Sequence, residues 1–326
     1  MANYSRRRFG ELVLSTAGLA LLPAGAKRAF AFETRGVKVG LITGSLNPLP
    51  ERPGVDPIDI IIEQCRELDV TDVELVTVYP EDQPEVVDFM DRAAGRFGQP
   101  PPTRTPAYIE TREQLRQWRL NAPLDRFVEV RGKFEQAGMN LFSYVQTIDD
   151  DMADDEMDAV FKQMQALGVS MFTTNQTRVG MGPRIAPFSE RYGIKAAWHP
   201  HDKIDDPNEV ATFESMEKLL GMSDAFVINL DIGHFTAGNG DAVGFLQKHH
   251  ERITHLHIKD RLRNHGPRVM LGTGDTPIKE CAILVRDNRW PIMLIDEREY
   301  RDAPGTPVEQ TRWELNYLRD ILAGNT

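Results

Sequence analysis

The chain has 326 residues, 41% of them hydrophobic and 27% charged, a balance that suits one large or two small soluble globular domains. Its net charge is −11, and losing the basic N-terminal stretch would make it more acidic. Such a surface has no electrostatic attraction to nucleic acid, whose binding relies on Lys and Arg neutralising phosphates. The two cysteines, Cys65 and Cys281, lie far apart within helical patterns, which argues against a disulfide framework and for buried, small apolar side chains.

The N-terminus reads as an address. Ser5-Arg6-Arg7-Arg8-Phe9 precedes an apolar stretch from Leu12 to Ala24, and an h-region of about a dozen residues is too short to serve as a permanent membrane anchor. The paired arginines followed by Phe resemble the twin-arginine export motif. Of two small-x-small sites, Ala24-Gly25-Ala26 and Ala29-Phe30-Ala31, the second is preferred. Residues 1–31 are thus expected to be a cleaved signal peptide, residues 32–326 the mature domain, and the destination the periplasm or the exterior. An uncleaved anchor or a cytosolic extension is the alternative.

From Gly36 onward, apolar β-rich runs alternate with amphipathic patterns. Strands are expected at 37–42, 73–78, 140–146, 169–172, 194–199, 226–231, 253–258 and 292–297. Ile58, Ile61, Ile62, Cys65 and Leu68 keep helical spacing, as do Val308, Leu315, Leu318 and Leu322. Thr276-Pro277 reads as an N-cap followed by Pro at the first helical position, and Thr306-Pro307-Val308-Glu309 as a capping box. One connection is long, with a helix-like piece at 84–97, a Pro-rich loop at 99–106 and a helical stretch to about residue 136. Such an insertion covers the active-site face or mediates oligomer contacts; the sequence neither requires nor excludes a homo-oligomer.

Eight strand–helix units predict an α/β fold, a (β/α)8 TIM barrel. An open doubly wound sheet is the alternative, weakened by the lack of a Gly-rich fingerprint after the first strand.

Of eight histidines, five sit at or just past expected strand ends: His199, His201, His234, His255 and His257. Asp231 and Glu297 end strands six and eight. In a barrel this is the end where side chains from several strands converge, so residues distant in sequence can surround one ion and leave room for substrate oxygens. Any one of them alone has an ordinary structural explanation: a hydrogen-bonded His, a Glu paired with Arg298, an Asp capping the next helix.

The ordered set resembles the xylose-isomerase-like barrel superfamily, often called sugar phosphate isomerases/epimerases. His199-Pro200-His201 is similar to its fifth-strand His-x-His, Asp231-Ile232-Gly233-His234 to its Asp-x-Gly-His, and His255-Leu256-His257-Ile258-Lys259-Asp260 to its seventh-strand segment. Gly272-Thr273-Gly274-Asp275 and residues 295–300 resemble its final strands. The resemblance spans roughly residues 37–322 and is specific from His199 onward. It implies metal ligands Asp231, His257 and Glu297, with a fourth from strand five. In epimerase members that fourth ligand is a glutamate that also acts as a base; here it is His199, so a two-carboxylate proton relay is not carried over.

The implied function is isomerisation or epimerisation of a sugar or keto-sugar by proton transfer next to a carbonyl, assisted by one divalent ion. Mn is favoured, and Zn, Co, Fe or Mg would also suit the donors. Glu297 is the candidate base, with His234 and Lys259 as catalytic partners. His201, His234, Lys259 and Arg261 are candidate substrate-binding residues, Lys259 having a salt bridge to Asp260 as its plain structural alternative. The closest rival is a lyase or hydratase of 3-keto-glycosides. A non-catalytic sugar-binding or partner subunit is a further one. An endonuclease-IV-like nuclease is disfavoured, since strand four ends in Thr173-Thr174-Asn175 and supplies no carboxylate.

Overall fold

The structure, a computed structural model, describes residues 33–76, 106–175, 177–300 and 302–325. The expected signal peptide, the helix-like piece at 84–97 and nearly all of the Pro-rich loop lie outside these residues. Among those described, eight parallel strands close into a barrel: β1 (Val37–Ile42), β2 (Asp72–Leu75), β3 (Asn140–Gln146), β4 (Met171–Thr174), β5 (Lys195–Trp198), β6 (Phe226–Asp231), β7 (Ile253–Ile258) and β8 (Met293–Asp296). Each pairs with its chain neighbours. β8 returns beside β1 (Leu294 opposite Val39) and β1 pairs with β2 (Leu41 opposite Val73), which closes the ring of eight.

Strands buried on both faces read as continuous apolar runs, and all six residues of β6 are buried. Around the sheet run α1 (Pro57–Glu67), α2 (Pro106–Asn121), α3 (Leu124–Gln136), α4 (Asp154–Leu167), α5 (Gly182–Tyr192), α6 (Phe213–Leu220), α7 (Ile232–Ala237), α8 (Ala242–His249), α9 (Ile278–Asn288) and α10 (Pro307–Ala323). The core lies between strands and helices. Phe161 of α4, for example, meets Phe172 of β4 edge-on at 5.6 Å. Both cysteines are buried free thiols. Among the described residues no helix is long and apolar enough to cross a membrane.

Four strands fall where the sequence places them, and four shift by one to three residues at an end. The fourth begins at Met171 because Val169 belongs to the end of α4. Gly168 is left-handed (φ +80°), and the Val169 N–H bonds back to the Met164 carbonyl. The Thr306 capping box forms as expected. Thr276, however, does not cap α9: its hydroxyl accepts the Arg261 N–H at 3.0 Å, and the helix starts after Pro277. Gly40 is required where three strands crowd, since a Cβ there would run into the Asp72 carbonyl and Ile295.

The long β2–β3 connection contributes α2 and α3. Asp56, the N-cap of α1, also binds Arg126 and Lys133 of α3 and so ties two neighbouring helices together. The extra helix α2 packs over α4 through buried charge. Arg112 makes two bonds to Glu156 (2.9 and 2.7 Å), Arg119 a third at 2.9 Å, and Arg112 also reaches Asp151 in the loop after β3. Removing the carboxylate would leave two buried guanidiniums without it. Glu156→Ala should therefore lower the free energy of unfolding by about 3–5 kcal/mol, read by chemical denaturation; an unchanged midpoint would show that the cluster does not hold α2.

Candidate metal centre

Alternation along each strand decides which side chains enter the barrel mouth. In β7, Leu256 and Ile258 pack outward while His255 and His257 point in, and Lys259 follows at the same period. Asp231 of β6 lies opposite His257 in register, as does Ile295 of β8, two residues before Glu297. β5 ends at Trp198, so His199 emerges just beyond it, its N–H held by the Thr174 hydroxyl at 3.1 Å. The expected ligands therefore meet: donor atoms of His199, Asp231, His257 and Glu297 all lie within 4.8 Å of one another.

Within this group His199 Nε2 is 3.6 Å from Asp231 Oδ2, and His257 Nδ1 is 2.7 Å from Glu297 Oε2. Asp231 has two duties. Its Oδ1 caps α7 by accepting the His234 N–H at 2.6 Å, leaving Oδ2 for the site. Lys259 does not pair with Asp260. Its ammonium lies 2.8 Å from Asp231 Oδ2, 2.9 Å from Glu297 Oε2 and 3.1 Å from Glu299. Asp260 instead accepts the backbone N–H groups of Gly272, Thr273, Gly274 and Thr276, which folds the following loop around it. Gly233 gives Lys259 room, because a Cβ there would strike the lysine side chain and its carbonyl oxygen. Glu297 does not use Arg298, which is engaged by Ser45, Asn47 and Gln310.

A second group of polar side chains borders the first. His201 Nδ1 is 3.7 Å from Glu209, and His234 Nδ1 accepts from the Arg261 guanidinium at 2.7 Å. Arg261 is itself held by Asp202 (3.0 Å) and the Gly266 carbonyl. Because arginine only donates, His234 Nδ1 must carry the lone pair and Nε2 the proton. His234 is thus fixed as a hydrogen-bond donor through Nε2. The ring centres of His199, His201 and His234 lie 5.0–5.8 Å apart, so both groups face one cavity.

The electrostatics suit a cation. Burial, then the neighbouring imidazolium charges, pushes His199 well below the ordinary histidine range; burial, then Lys259, does the same to His234. Burial also works to lower His257, yet Glu74 and Glu297 outweigh it and raise it to about 10. Burial raises Asp231 to about 6 against the pull of Lys259. Glu297 is held well below the carboxylate range because Lys259 and His257 overcome its burial. Asp231 Oδ2, His257 Nδ1 and Glu297 Oε2 are buried atoms with no aligned hydrogen-bond partner, although they lie near one another. Two imidazoles and two carboxylates are a donor set that fits a divalent ion, whose entry would displace a proton from His257.

Several residues escaped sequence reasoning. Glu74 of β2 contacts His257 Nε2 at 2.5 Å, Asn229 of β6 reaches both His257 and His199, and Glu209 and Glu299 stand beside His201 and Lys259. A signal existed for the first two, each a polar residue inside an apolar strand.

Comparison with known proteins agrees with this architecture. Residues 183–321 match the family model described as Xylose isomerase-like TIM barrel. An inosose dehydratase of Lactiplantibacillus plantarum is 24% identical over 154 residues, which are 41% of this chain and 50% of that protein, so the chain spans about half the length of the curated relative it matches. Among solved structures, the IOLI protein with a binding zinc atom superimposes with a TM-score of 0.57 at 15% identity, covering 89% of this chain and 99% of that one. The 3-keto-D-glucoside 4-epimerase YcjR from E. coli, in its apo form, gives 0.55 at 12% identity, covering 87% and 99%. At such identities the superpositions speak for the fold, a (β/α)8 barrel. The segment matched by the family model is the one that carries His199, Asp231, His257 and Glu297.

Proposed function

We propose that this protein is a divalent-metal-dependent enzyme that transfers a proton next to the carbonyl of a sugar or keto-sugar and so isomerises or epimerises it. The observation that carries this reading is the convergence of the four donors beside two separately oriented histidines, His201 and His234. His199, Asp231, His257 and Glu297 would hold the ion, which would supply positive charge against adjacent substrate oxygens and polarise the carbonyl. Mn is the first choice and Zn the second.

The chain's own groups divide the remaining work. His234, with its proton on Nε2, donates a hydrogen bond to a substrate oxygen and helps hold negative charge as it develops. Lys259 adds an ammonium at the same end, and Arg261 locks the His234 ring. Glu297 is the base the sequence suggests, but Lys259 and His257 stabilise its ionised form, which weakens it as a proton acceptor. His201, whose Nδ1 lies 3.7 Å from the Glu209 carboxylate, is the histidine we favour to take the proton.

β-Elimination is a second reading, favoured by one observation. Strand five presents His199 where a carboxylate base would be needed for a two-base epimerisation. One group that removes the α-proton and then protonates a departing β-hydroxyl suffices for elimination: the C–H and C–O bonds break, a C=C bond forms and water leaves. The inosose dehydratase likeness is consistent with it.

The purified protein should hold one equivalent of a divalent metal by elemental analysis, and Asp231→Asn and His257→Ala should each lose it. Metal content unchanged in both would place the ion elsewhere. His201→Gln should keep the metal while slowing exchange of the substrate's α-proton in deuterated water by about 10²–10⁴-fold. Exchange at the full rate would return the base role to Glu297. Formation of a conjugated enone in the same assay would decide for elimination.

We further propose export by the twin-arginine route with cleavage after Ala31. Protein recovered from the periplasm should begin at Phe32; an intact leader on exported protein would refute the cleavage.

A further inference from the structure

We propose that Glu74 and Asn229 are positioning residues that fix which nitrogen of His257 and of His199 carries the proton, and so make both imidazoles competent donors to a cation. The inference rests on the reading of these histidines as ligands. An imidazole that gives one nitrogen to an ion must keep its proton on the other, and the partner of that proton sets the ring's orientation.

For His257 the division is clear. Nδ1 faces Glu297 and Asp231 and has no aligned hydrogen bond, whereas Nε2 lies 2.5 Å from Glu74 Oε2. The proton therefore sits on Nε2 and is donated to Glu74. This carboxylate is wholly buried, in the layer of the barrel below the ion site, and its other oxygen lies 3.5 Å from His255 Nε2.

Glu74, His255 and His257 also bring donor atoms within 4.8 Å of one another, so a second ion is the competing explanation. The geometry disfavours it. Ligands of one zinc-like ion at about 2.0–2.2 Å stand roughly 3 Å or more apart, while Nε2 and Oε2 are 2.5 Å apart, the spacing of a donor and its acceptor. A second ion would also strip His257 of its last proton.

Asn229 completes the arrangement. Its Nδ2 lies 3.0 Å from His257 Nε2 and 3.3 Å from His199 Nδ1, while its Oδ1 is buried without a hydrogen bond. If both histidines bind the ion through their other nitrogens, these two ring nitrogens carry protons, and a donor must not face them. Rotating the amide by a half-turn places the partnerless oxygen on the His199 N–H and beside the His257 N–H that Glu74 already accepts. His199 Nε2, the nitrogen nearer Asp231, is then free to bind.

The test uses the full mature protein and zinc alone. Competition with a chromophoric chelator gives affinity, and nitrogen-15 correlation spectra of the zinc-loaded protein give the imidazole protonation pattern. Protons are expected on His257 Nε2 and His199 Nδ1. Glu74→Leu and Asn229→Leu should weaken zinc binding by about 10–100-fold, and Glu74→Gln, which keeps an acceptor oxygen, should recover most of the loss. A folded Glu74→Leu variant with wild-type affinity, or a wild-type spectrum with the His257 proton on Nδ1, overturns the proposal while leaving the metal centre standing. Two zinc equivalents, one of them lost in Glu74→Leu, overturn it in favour of a second ion. If wild type binds no zinc or other divalent ion, the metal reading fails and this inference falls with it. Should Glu74→Leu not fold, the wild-type spectrum alone decides.

Discussion

Charge compensation at the mouth of the barrel governs the arrangement of this site. Glu74, Asp231, Glu297 and Glu299 approach one another in a largely enclosed space, and a buried carboxylate is costly unless positive charge or hydrogen-bond donors meet it. Lys259 answers three of them and His257 answers Glu74 and Glu297. The lysine must pass close to α7 to do so, which restricts position 233 to glycine. The same requirement makes the site receptive to a dication. The His257 proton stands where a cation can replace it, and Glu299 already faces the Lys259 ammonium at 3.1 Å.

The barrel meets this requirement through strand register. Since neighbouring strands are offset by fixed pairings, Asp231 and His257 fall side by side, and Glu297 follows the residue pair Ile295–His257 by one inward step. The loops then hold the strand ends in place. Asp260 gathers four backbone N–H groups from residues 272–276, so the loop after β7 is folded around the residue that follows Lys259. Arg298, next to Glu297, is anchored through Ser45, Asn47 and Gln310 to the loop after β1 and to α10. Residues adjacent to the chemical groups thus carry the structural bonds, which leaves Lys259 and Glu297 free of them.

Much of this was legible in the sequence, for a physical reason. Parallel strands covered on both sides are apolar throughout, so an Asp or His at the end of such a run marks both the strand end and the site. That is why 226–231 and 253–258 were placed to the residue and why the strand-end histidines and carboxylates stood out, while the choice of four among them came from the family resemblance. Glu74 and Asn229 were harder to see. They lie inside the strands, one layer below the mouth, where a polar residue shows only as an interruption of an apolar run and its partner comes from another strand. Thr276 misled because its hydroxyl had two uses open to it, capping α9 or holding Arg261, and tertiary contact decided for the second. Lys259 and Asp260 are adjacent in sequence, but alternation sends them to opposite faces, so the nearest opposite charge in the chain was not the partner.

On the proposed reading, the three mouth histidines take three roles without any change in the side chain itself. His234 accepts from an arginine, which cannot give up its proton, and so becomes a fixed donor. His201 faces the carboxylate of Glu209, the setting proposed here for a base. His199 has an amide behind it and a carboxylate in front, the setting of a ligand. In each case the distinction lies in the group behind the ring: Arg261, Glu209 or Asn229. On the proposed reading, a change in that partner would alter what its histidine can do, even with the ring itself left in place.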